Sequence, residues 1–222
     1  MAQSGAPIDL LFRIGVRSVN GLPNGATTAG GGPQDASEGF RKLMRALREV
    51  QSAGAVTLRF QREPTGGPVH LLLDGDDERA KAAARRVRQL LGIRPEVPEF
   101  EVVYGRGRRG PNQVAVLTRS VLQILYELAS QMEVPEADTR RGDTLATEAG
   151  APADPRERLI QVRHGGSAPR DAYAAVEYRG RWFWIDAADY RSKASFAFVY
   201  ILQTLAESSH GQPTPVVTIP SQ

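Results

Sequence analysis

The chain of 222 residues contains no cysteine, so a disulfide framework, a thiolate metal site and a cysteine nucleophile are excluded. Its three histidines, His70, His164 and His210, are not spaced as neighbouring metal ligands, and the sequence predicts neither a metal site nor a cofactor. No apolar run approaches the roughly 20 residues that span a bilayer. The first residues also lack the pattern of a secretory signal. These absences predict a soluble cytoplasmic protein that does not contact membranes.

Charge is present in ordinary amount but is unevenly distributed. Charged residues make up 24% and hydrophobic residues 41% of the chain, as in other globular proteins. Residues 1–110 carry 17 Lys/Arg and 12 Asp/Glu, whereas residues 111–222 carry 11 and 13, which together give the net charge of +3. The excess of positive charge in the first half is a hint of anionic partners such as nucleic acid.

The first half reads as alternating strands and helices. Residues 8–19 alternate between apolar and polar positions from Phe12 onward, which predicts a strand. Residues 20–36 are rich in Gly, Pro and Asn and predict a long flexible loop. The predicted elements that follow are a helix capped by Ser37 and ending near Gly54, a hairpin of strands 56–60 and 69–73, a helix capped by Asp76 or Asp77 that ends at Leu91, and a strand 100–104.

This β-α-β-β-α-β order predicts a ferredoxin-like subdomain over residues 1–105, with a four-stranded antiparallel sheet against two helices. Its first and third strands lack the aromatic residues on which RNA bases stack. Residues 106–112 follow as a basic, glycine-rich linker that carries Arg106, Arg108 and Arg109. Such Arg-Gly sequences also occur in nucleic-acid-binding tails, so these three residues are candidate anion-binding residues.

Residues 113–222 predict a C-terminal α+β subdomain with an antiparallel sheet and two buried helices. Residues 113–117 form a strand or the lead into a helix, and the helix itself runs from Thr118 to Pro135 with a wide apolar stripe. The other predicted elements are a mobile loop 135–157, a strand 159–163, a hairpin of 172–178 and 182–185 around Arg179–Gly180, a helix 190–208 and a terminal strand 215–219.

A resemblance rests on this C-terminal half. The sequence Tyr-Arg-Gly-x-Trp-Phe-Trp-Ile-Asp at 178–186, its sequel Asp-Tyr-Arg-Ser-Lys-Ala-Ser-Phe at 189–196, and the closing Pro-Val-Val-Thr-Ile-Pro at 215–220 resemble a functionally unassigned bacterial protein family. The resemblance implies that residues 113–220 form one unit. It supplies no catalytic residues to carry over.

The hairpin contains the candidate interface. In a regular strand Phe183 and Ile185 share one face, while Trp182 and Trp184 share the other. One face packs on the helices, and the other contacts a second layer or is exposed. Exposed tryptophans together with Tyr178 are typical of a binding hot spot.

The start of the last helix contains a second candidate site. Asp189 is placed to cap this helix, and Arg191 and Lys193 fall in its first turn, where cations oppose the helix dipole. Pairing of Lys193 with Asp189, four residues away, with Asp186 nearby, is the favoured explanation. An anion held by Arg191, Lys193 and the helix N-terminus is the alternative.

No motif in the sequence specifies a reaction. A Ser167, His164 and Asp171 set can be named, but nothing marks a strained, glycine-flanked nucleophile there. The sequence therefore favours a non-catalytic assembly or interaction protein that acts through its C-terminal sheet, with a protein partner or as an oligomer. Two alternatives stay open: a nucleic-acid or nucleotide-binding regulator, and a hydrolase that uses Asp186, Asp189 and Lys193.

Overall fold

A computed structural model describes residues 7–28, 31–60, 68–108, 110–147 and 158–209. The described part is a mixed α+β structure with six helices, a six-stranded mixed sheet, a three-stranded antiparallel sheet and a two-stranded ribbon. The helices are α1 (Ile8–Gly15), α2 (Glu38–Ser52), α3 (Glu78–Leu91), α4 (Val121–Ala129), α5 (Glu136–Arg141) and α6 (Tyr190–Ser209). The strands are β1 (Val16–Val19), β2 (Leu22–Pro23), β3 (Ala26–Thr28), β4 (Gly31–Gln34), β5 (Val56–Phe60), β6 (Val69–Leu73), β7 (Glu99–Tyr104), β8 (Gln113–Thr118), β9 (Arg163–Gly165), β10 (Ala174–Tyr178) and β11 (Arg181–Ile185).

The two helices predicted in the first half are confirmed, together with their caps. The Ser37 hydroxyl accepts a hydrogen bond from the Phe40 amide at 3.1 Å and begins α2. The Asp77 carboxylate accepts from the Ala80 amide at 2.6 Å and begins α3, which ends at Gly92 in the left-handed conformation with φ of 63°. Apolar residues at three- and four-residue spacing turn one side of each helix towards the six-stranded sheet.

The six strands have the order β2-β1-β8-β7-β6-β5. The predicted hairpin of β5 and β6 is confirmed, with five antiparallel pairs from Val56↔Leu73 to Phe60↔Val69. β7 is antiparallel to β6, whereas β7 and β8 are parallel. The ferredoxin-like arrangement is not confirmed. That fold places its first strand beside its third, at the centre of the sheet, whereas here β1 is separated from β6 by β8 and β7.

The first predicted strand is wrong over most of its length. Residues 8–15 form α1, and only Val16–Val19 form a strand, which pairs with β8 and with β2. The alternation of Phe12, Ile14 and Val16 spans the junction between the helix and the strand, so it does not reflect one regular element. The predicted loop 20–36 also contains the short strands β2, β3 and β4.

The basic segment at 105–112 connects two neighbouring parallel strands. β8 lies between β1 and β7 inside the six-stranded sheet, so residue 113 does not begin a separate C-terminal sheet. Parallel neighbours are commonly joined through a crossover of a dozen or more residues. Here each end of the segment is hydrogen-bonded to the neighbouring strand. The Gly105 amide donates to the Val116 carbonyl of β8 at 3.1 Å, and the Asn112 carbonyl accepts from the Glu101 amide of β7 at 3.0 Å.

Two hydrophobic clusters form the core. The first cluster lies between the six-stranded sheet and helices α2 and α3, and Ile8 contributes to it from α1. The second cluster joins α1, α4, α6 and the three-stranded sheet, and it contains Leu10 and Ile14 of α1. The helix α1 therefore contributes side chains to both clusters.

The C-terminal part departs from the prediction at several positions. α4 ends at Ala129, and Ile124 and Leu128 are its buried residues, while Leu122, Leu125 and Tyr126 are exposed. Many side chains of α6 are also exposed, so the expectation of two buried helices is wrong. The predicted loop 135–157 contains α5, and the predicted strand 159–163 is replaced by β9 at Arg163–Gly165. The predicted strand 215–219 lies outside the described residues.

Candidate functional site

The hairpin of β10 and β11 is confirmed, and β10 lies at the edge of the three-stranded sheet in the order β10-β11-β9. Its turn is closed by Arg179 and Gly180, which both have positive φ, at 53° and 73°. Ile185 is buried in the second hydrophobic cluster, and Phe183 packs against that cluster. The face of the sheet that carries Phe183 and Ile185 is therefore the core-facing side.

The core-facing side of the sheet is covered only in part. Val176 pairs with Phe183 and Tyr178 pairs with Arg181, so both lie on the same face as Phe183. Yet Val176 is 61% exposed and Tyr178 is 62% exposed. The core ends beneath β11, and the apolar face continues beyond it to the edge strand β10 without a covering element among the described residues.

Exposed aromatic residues also lie where the chain enters β10 and along α6. The rings of Tyr173 and Phe196 meet edge to face with centroids 6.1 Å apart, which connects the residue before β10 to the helix. Tyr200 lies one turn after Phe196 and is 65% exposed. We call Tyr173, Val176, Tyr178, Phe196 and Tyr200 the hairpin–α6 surface.

The distribution of exposed apolar residues is strongly asymmetric along the chain. Thirteen large hydrophobic side chains are exposed among the described residues, and all except Tyr104 follow residue 120. Scattered single hydrophobic residues on a surface are normal, whereas clusters of them mark interaction sites. The exposed apolar residues are therefore concentrated in the C-terminal part of the described residues.

The two tryptophans lie on the opposite face of the hairpin from Val176 and Tyr178. Trp182 pairs with Gly165 and Trp184 pairs with Arg163, and both tryptophans are partly buried. The Trp184 ring lies so close to Gly165 that a Cβ there would be 3.1 Å from it. Of the three predicted interface residues, Tyr178 is exposed, and the tryptophans pack on the outer face of their own sheet.

Asp189 caps α6 as predicted, but it does not pair with Lys193. Its carboxylate accepts hydrogen bonds from the Ser192 amide at 3.1 Å and from the Ser192 hydroxyl at 2.5 Å. The Lys193 ammonium donates to the Ala187 carbonyl at 2.7 Å and lies 5.8 Å from the centre of the Tyr173 ring. Lys193 is therefore held by a carbonyl and a ring.

Arg191 points into the protein, where it meets a buried carboxylate that the sequence reading did not single out. The Asp9 side chain is 1% exposed, and its Oδ2 lies 3.8 Å from the Arg191 guanidinium and also accepts a hydrogen bond from Arg48. Burial lowers the pKa of Arg191, the negative charge of Asp9 raises it, and the neighbouring Arg48 and Arg13 lower it. We call Asp9, Arg13, Arg48 and Arg191 the Asp9 cluster, which connects α1, α2 and α6.

The predicted anion-binding residues are therefore not brought together. Arg106 and Arg108 are exposed in the segment between β7 and β8, and Arg108 donates a hydrogen bond to the Gly92 carbonyl at the end of α3. Arg109 lies outside the described residues. Arg191 lies with the Asp9 cluster, and Lys193 is bonded at the start of its own helix.

The residues of the predicted catalytic sets have separate partners. Asp186 forms an ion pair with Arg163 at 3.1 Å, while Asp189 caps α6. His164 lies in β9 with its ring 6.1 Å from the Phe183 ring, whereas Ser167 and Asp171 are exposed. Among the described residues no group of three or more His, Asp and Glu side chains is placed to hold a metal ion.

Sequence reasoning missed Asp9 and Val176, although each left a signal. Asp9 stands among apolar residues in the sequence Ile-Asp-Leu-Leu-Phe, where a charge is out of place unless an opposite charge meets it. Val176 lies in a strand whose partner carries Phe183, so its face followed from the pairing of the hairpin. What the sequence did not contain was the position at which the core ends.

Comparison with known proteins identifies no related protein. No family model, no curated protein and no solved structure matches the chain. The resemblance to a bacterial family therefore stays a prediction. The helices of the described residues are too short or too polar to cross a membrane.

Proposed function

We propose that this protein is a non-catalytic assembly or interaction protein that binds a second protein chain through its C-terminal part. The observation that carries the proposal is the hairpin–α6 surface, where the core-facing side of a sheet stays exposed at its edge strand. Burial of apolar area contributes roughly 25 cal/mol per Å². An exposed face of this kind thus supplies a driving force for association.

The edge strand adds a second means of recognition. β10 is hydrogen-bonded to β11 on one side, and among the described strands none pairs with its other side. Unpaired backbone groups at a sheet edge are a template for strand addition. A partner that adds a strand to β10 would at the same time cover Val176 and Tyr178.

Self-association is the simplest case to test, because it requires no second protein. Sedimentation velocity between about 1 and 200 µM measures whether the chain forms a dimer or larger oligomer. We expect oligomers in wild type and their loss in Val176→Lys, which places a charge on the exposed face. Thr57→Lys is the matched control, because Thr57 is also an exposed β-branched residue on an edge strand.

Two outcomes would oppose the proposal. A wild-type protein that stays monomeric and captures no protein in a pull-down would remove the basis for an interaction role. Equal dissociation of the Val176→Lys and Thr57→Lys variants would place the interface elsewhere.

The two alternative functions receive different support from the geometry. Nucleic-acid or nucleotide binding through Arg191 and Lys193 is not favoured, since Arg191 lies 3.8 Å from Asp9 and Lys193 donates to the Ala187 carbonyl. A hydrolase built on Asp186, Asp189 and Lys193 is not favoured either, because these groups are held by different partners. The cytoplasmic location stays a prediction.

A further inference from the structure

The layer formed by α2 and α3 carries a large excess of positive charge on its outer side. α2 contains four basic and two acidic residues, and α3 contains five basic and one acidic. Both helices bury their apolar side against the six-stranded sheet, so nearly all of these charges face solvent. Two residues are exceptions: Arg88 is buried and donates to the Val97 carbonyl at 2.9 Å, and Arg48 is half-exposed and pairs with the buried Asp9. A layer with this charge favours an anionic partner.

A groove runs along this layer between α2 and α3. Its volume is about 620 Å³, which is within the usual size range of binding sites. Leu22, Ala46 and Leu90 contribute the apolar part of its lining, while Lys42 and Arg45 of α2 and Arg86 of α3 contribute cations. The lining thus combines apolar side chains with three basic ones and one acidic one, Glu49.

Acidic side chains at the groove compensate only part of this positive charge. Lys42 pairs with Glu38 at 2.8 Å, and Arg86 pairs with Glu49 at 3.2 Å. Arg45 forms no ion pair within 4 Å among the described residues, although it lies in the middle of the lining, one turn from Lys42 and from Glu49. Exposed ion pairs contribute little free energy, so Lys42 and Arg86 can exchange their partners for those of a ligand.

We infer that this groove binds an acidic amphipathic helix of a partner protein. An apolar groove between two helices receives the apolar face of a third helix, and carboxylates on the flanks of that helix would meet Lys42, Arg45 and Arg86. A single-stranded nucleic acid fits less well, because such ligands stack their bases on aromatic side chains and the groove lining contains none. This surface is separate from the hairpin–α6 surface.

Fluorescence anisotropy with designed probes tests the inference on the full chain. The probe is a fluorescein-labelled 18-residue helical peptide with Leu on one face and Glu on the other. The first control is a peptide in which Lys replaces every Glu, and the second is a labelled 20-nucleotide single strand. At about 50 mM salt we expect saturable binding of the acidic peptide and of neither control. At about 300 mM salt we expect weaker binding of the acidic peptide, because the salt screens the electrostatic attraction.

Variants locate the binding. Arg45→Glu combined with Arg86→Glu reverses two charges in the groove lining, and we expect at least about tenfold weaker peptide binding, since each reversal removes one attraction and adds one repulsion. The control is Arg79→Glu combined with Arg85→Glu, which changes the same charge on exposed positions of α3 that do not line the groove. Circular dichroism and thermal melts establish that all variants fold.

Four results would overturn the inference. The first is no saturable binding of the acidic peptide to wild type, and the second is equal weakening in the groove and control variants. The third is tighter binding of the oligonucleotide than of the peptide, which would assign the groove to nucleic acid. An oligomer that dissociates in the Arg45→Glu/Arg86→Glu variant without added peptide would instead identify the groove as a contact between copies of this chain, which also contradicts the inference.

Discussion

Replacing Asp9 with asparagine removes the one buried negative charge in the Asp9 cluster while it preserves the shape of the side chain. In wild type the Asp9 carboxylate lies beside the Arg48 and Arg191 guanidinium groups, and Arg191 is 24% exposed. Without that carboxylate the two cations repel each other, and Arg191 loses the attraction that offsets its burial. We therefore expect Asp9→Asn to destabilise the fold.

The magnitude follows from the burial of the partners. Removing one member of a fully buried ion pair costs about 3–5 kcal/mol. Arg48 is half-exposed, and water can solvate part of its charge in the variant, so we expect about 2–3 kcal/mol. For a chain of this length each kcal/mol lowers Tm by about 2–4 °C, which gives a decrease of about 4–12 °C.

Urea unfolding followed by circular dichroism, together with a thermal melt, measures this loss. Asp186→Asn is the matched control, because it makes the same chemical change in the half-exposed ion pair with Arg163, which we expect to contribute less than about 1 kcal/mol. Replacing Arg191 with methionine in the Asp9→Asn background removes the uncompensated cation and should recover part of the stability. Equal destabilisation by Asp9→Asn and Asp186→Asn would refute the assignment of Asp9 as the charge that binds α1 to α2 and α6.

Two further predictions concern single positions in the fold. Arg119 is buried, donates to the carbonyls of Arg13, Ile14 and Gly25, and lies 3.5 Å from Glu127. Because an ammonium cannot reproduce these directed bonds, Arg119→Lys should lower the free energy of unfolding in urea by about 2–3 kcal/mol. A loss below about 0.5 kcal/mol would contradict this prediction. A Cβ at Gly75 would clash with the Cβ of Ala80, whereas a Cβ at Gly54 would meet no atom within 4 Å and would be opposed only by the left-handed backbone. We therefore expect Gly75→Ala to lower Tm more than Gly54→Ala. The reverse order of the two melting temperatures would contradict this prediction.

Local elements were predictable wherever the spacing of apolar residues and the capping or turn residues indicated the same element. The helices α2 and α3 have apolar residues at helical spacing and a side chain that caps the first turn, namely Ser37 and Asp77. The two predicted hairpins are paired along their strands, and the turn of the second is closed by Arg179 and Gly180. In these segments the local sequence preference and the tertiary packing favour the same structure, and the sequence therefore determined the element.

The order of the strands was not predictable from local patterns. The position of β8 between β1 and β7 depends on contacts between residues far apart in the chain, such as the pairing of Val19 with Val116. The side chain of Asn20 supports this position, because its amide oxygen accepts from the Ala115 amide at 2.7 Å and its amide nitrogen donates to the Leu91 carbonyl at 2.8 Å. Neither bond follows from any periodicity in the sequence.

The candidate site was predictable in location but not in detail. The aromatic hairpin was identified, and Tyr178 is exposed as an interface residue requires. The roles of the two faces depended on which one met α6, and this contact fixed the tryptophans on the outer face. The positive charges in the first turn of α6 indicated a missing counter-charge, which Asp9 supplies for Arg191 from the opposite end of the chain.

The participation of α1 in both hydrophobic clusters has a consequence for how the chain acquires its structure during synthesis. The segment that forms α1 leaves the ribosome long before Arg119, which binds its last carbonyls, and before α6, whose Arg191 lies beside Asp9. Contacts between such distant segments form late, because the intervening chain must be ordered first. We therefore expect nascent chains that end before residue 190 to keep Leu10 and Ile14 accessible to chaperones, and to bury them only when α6 has been synthesised.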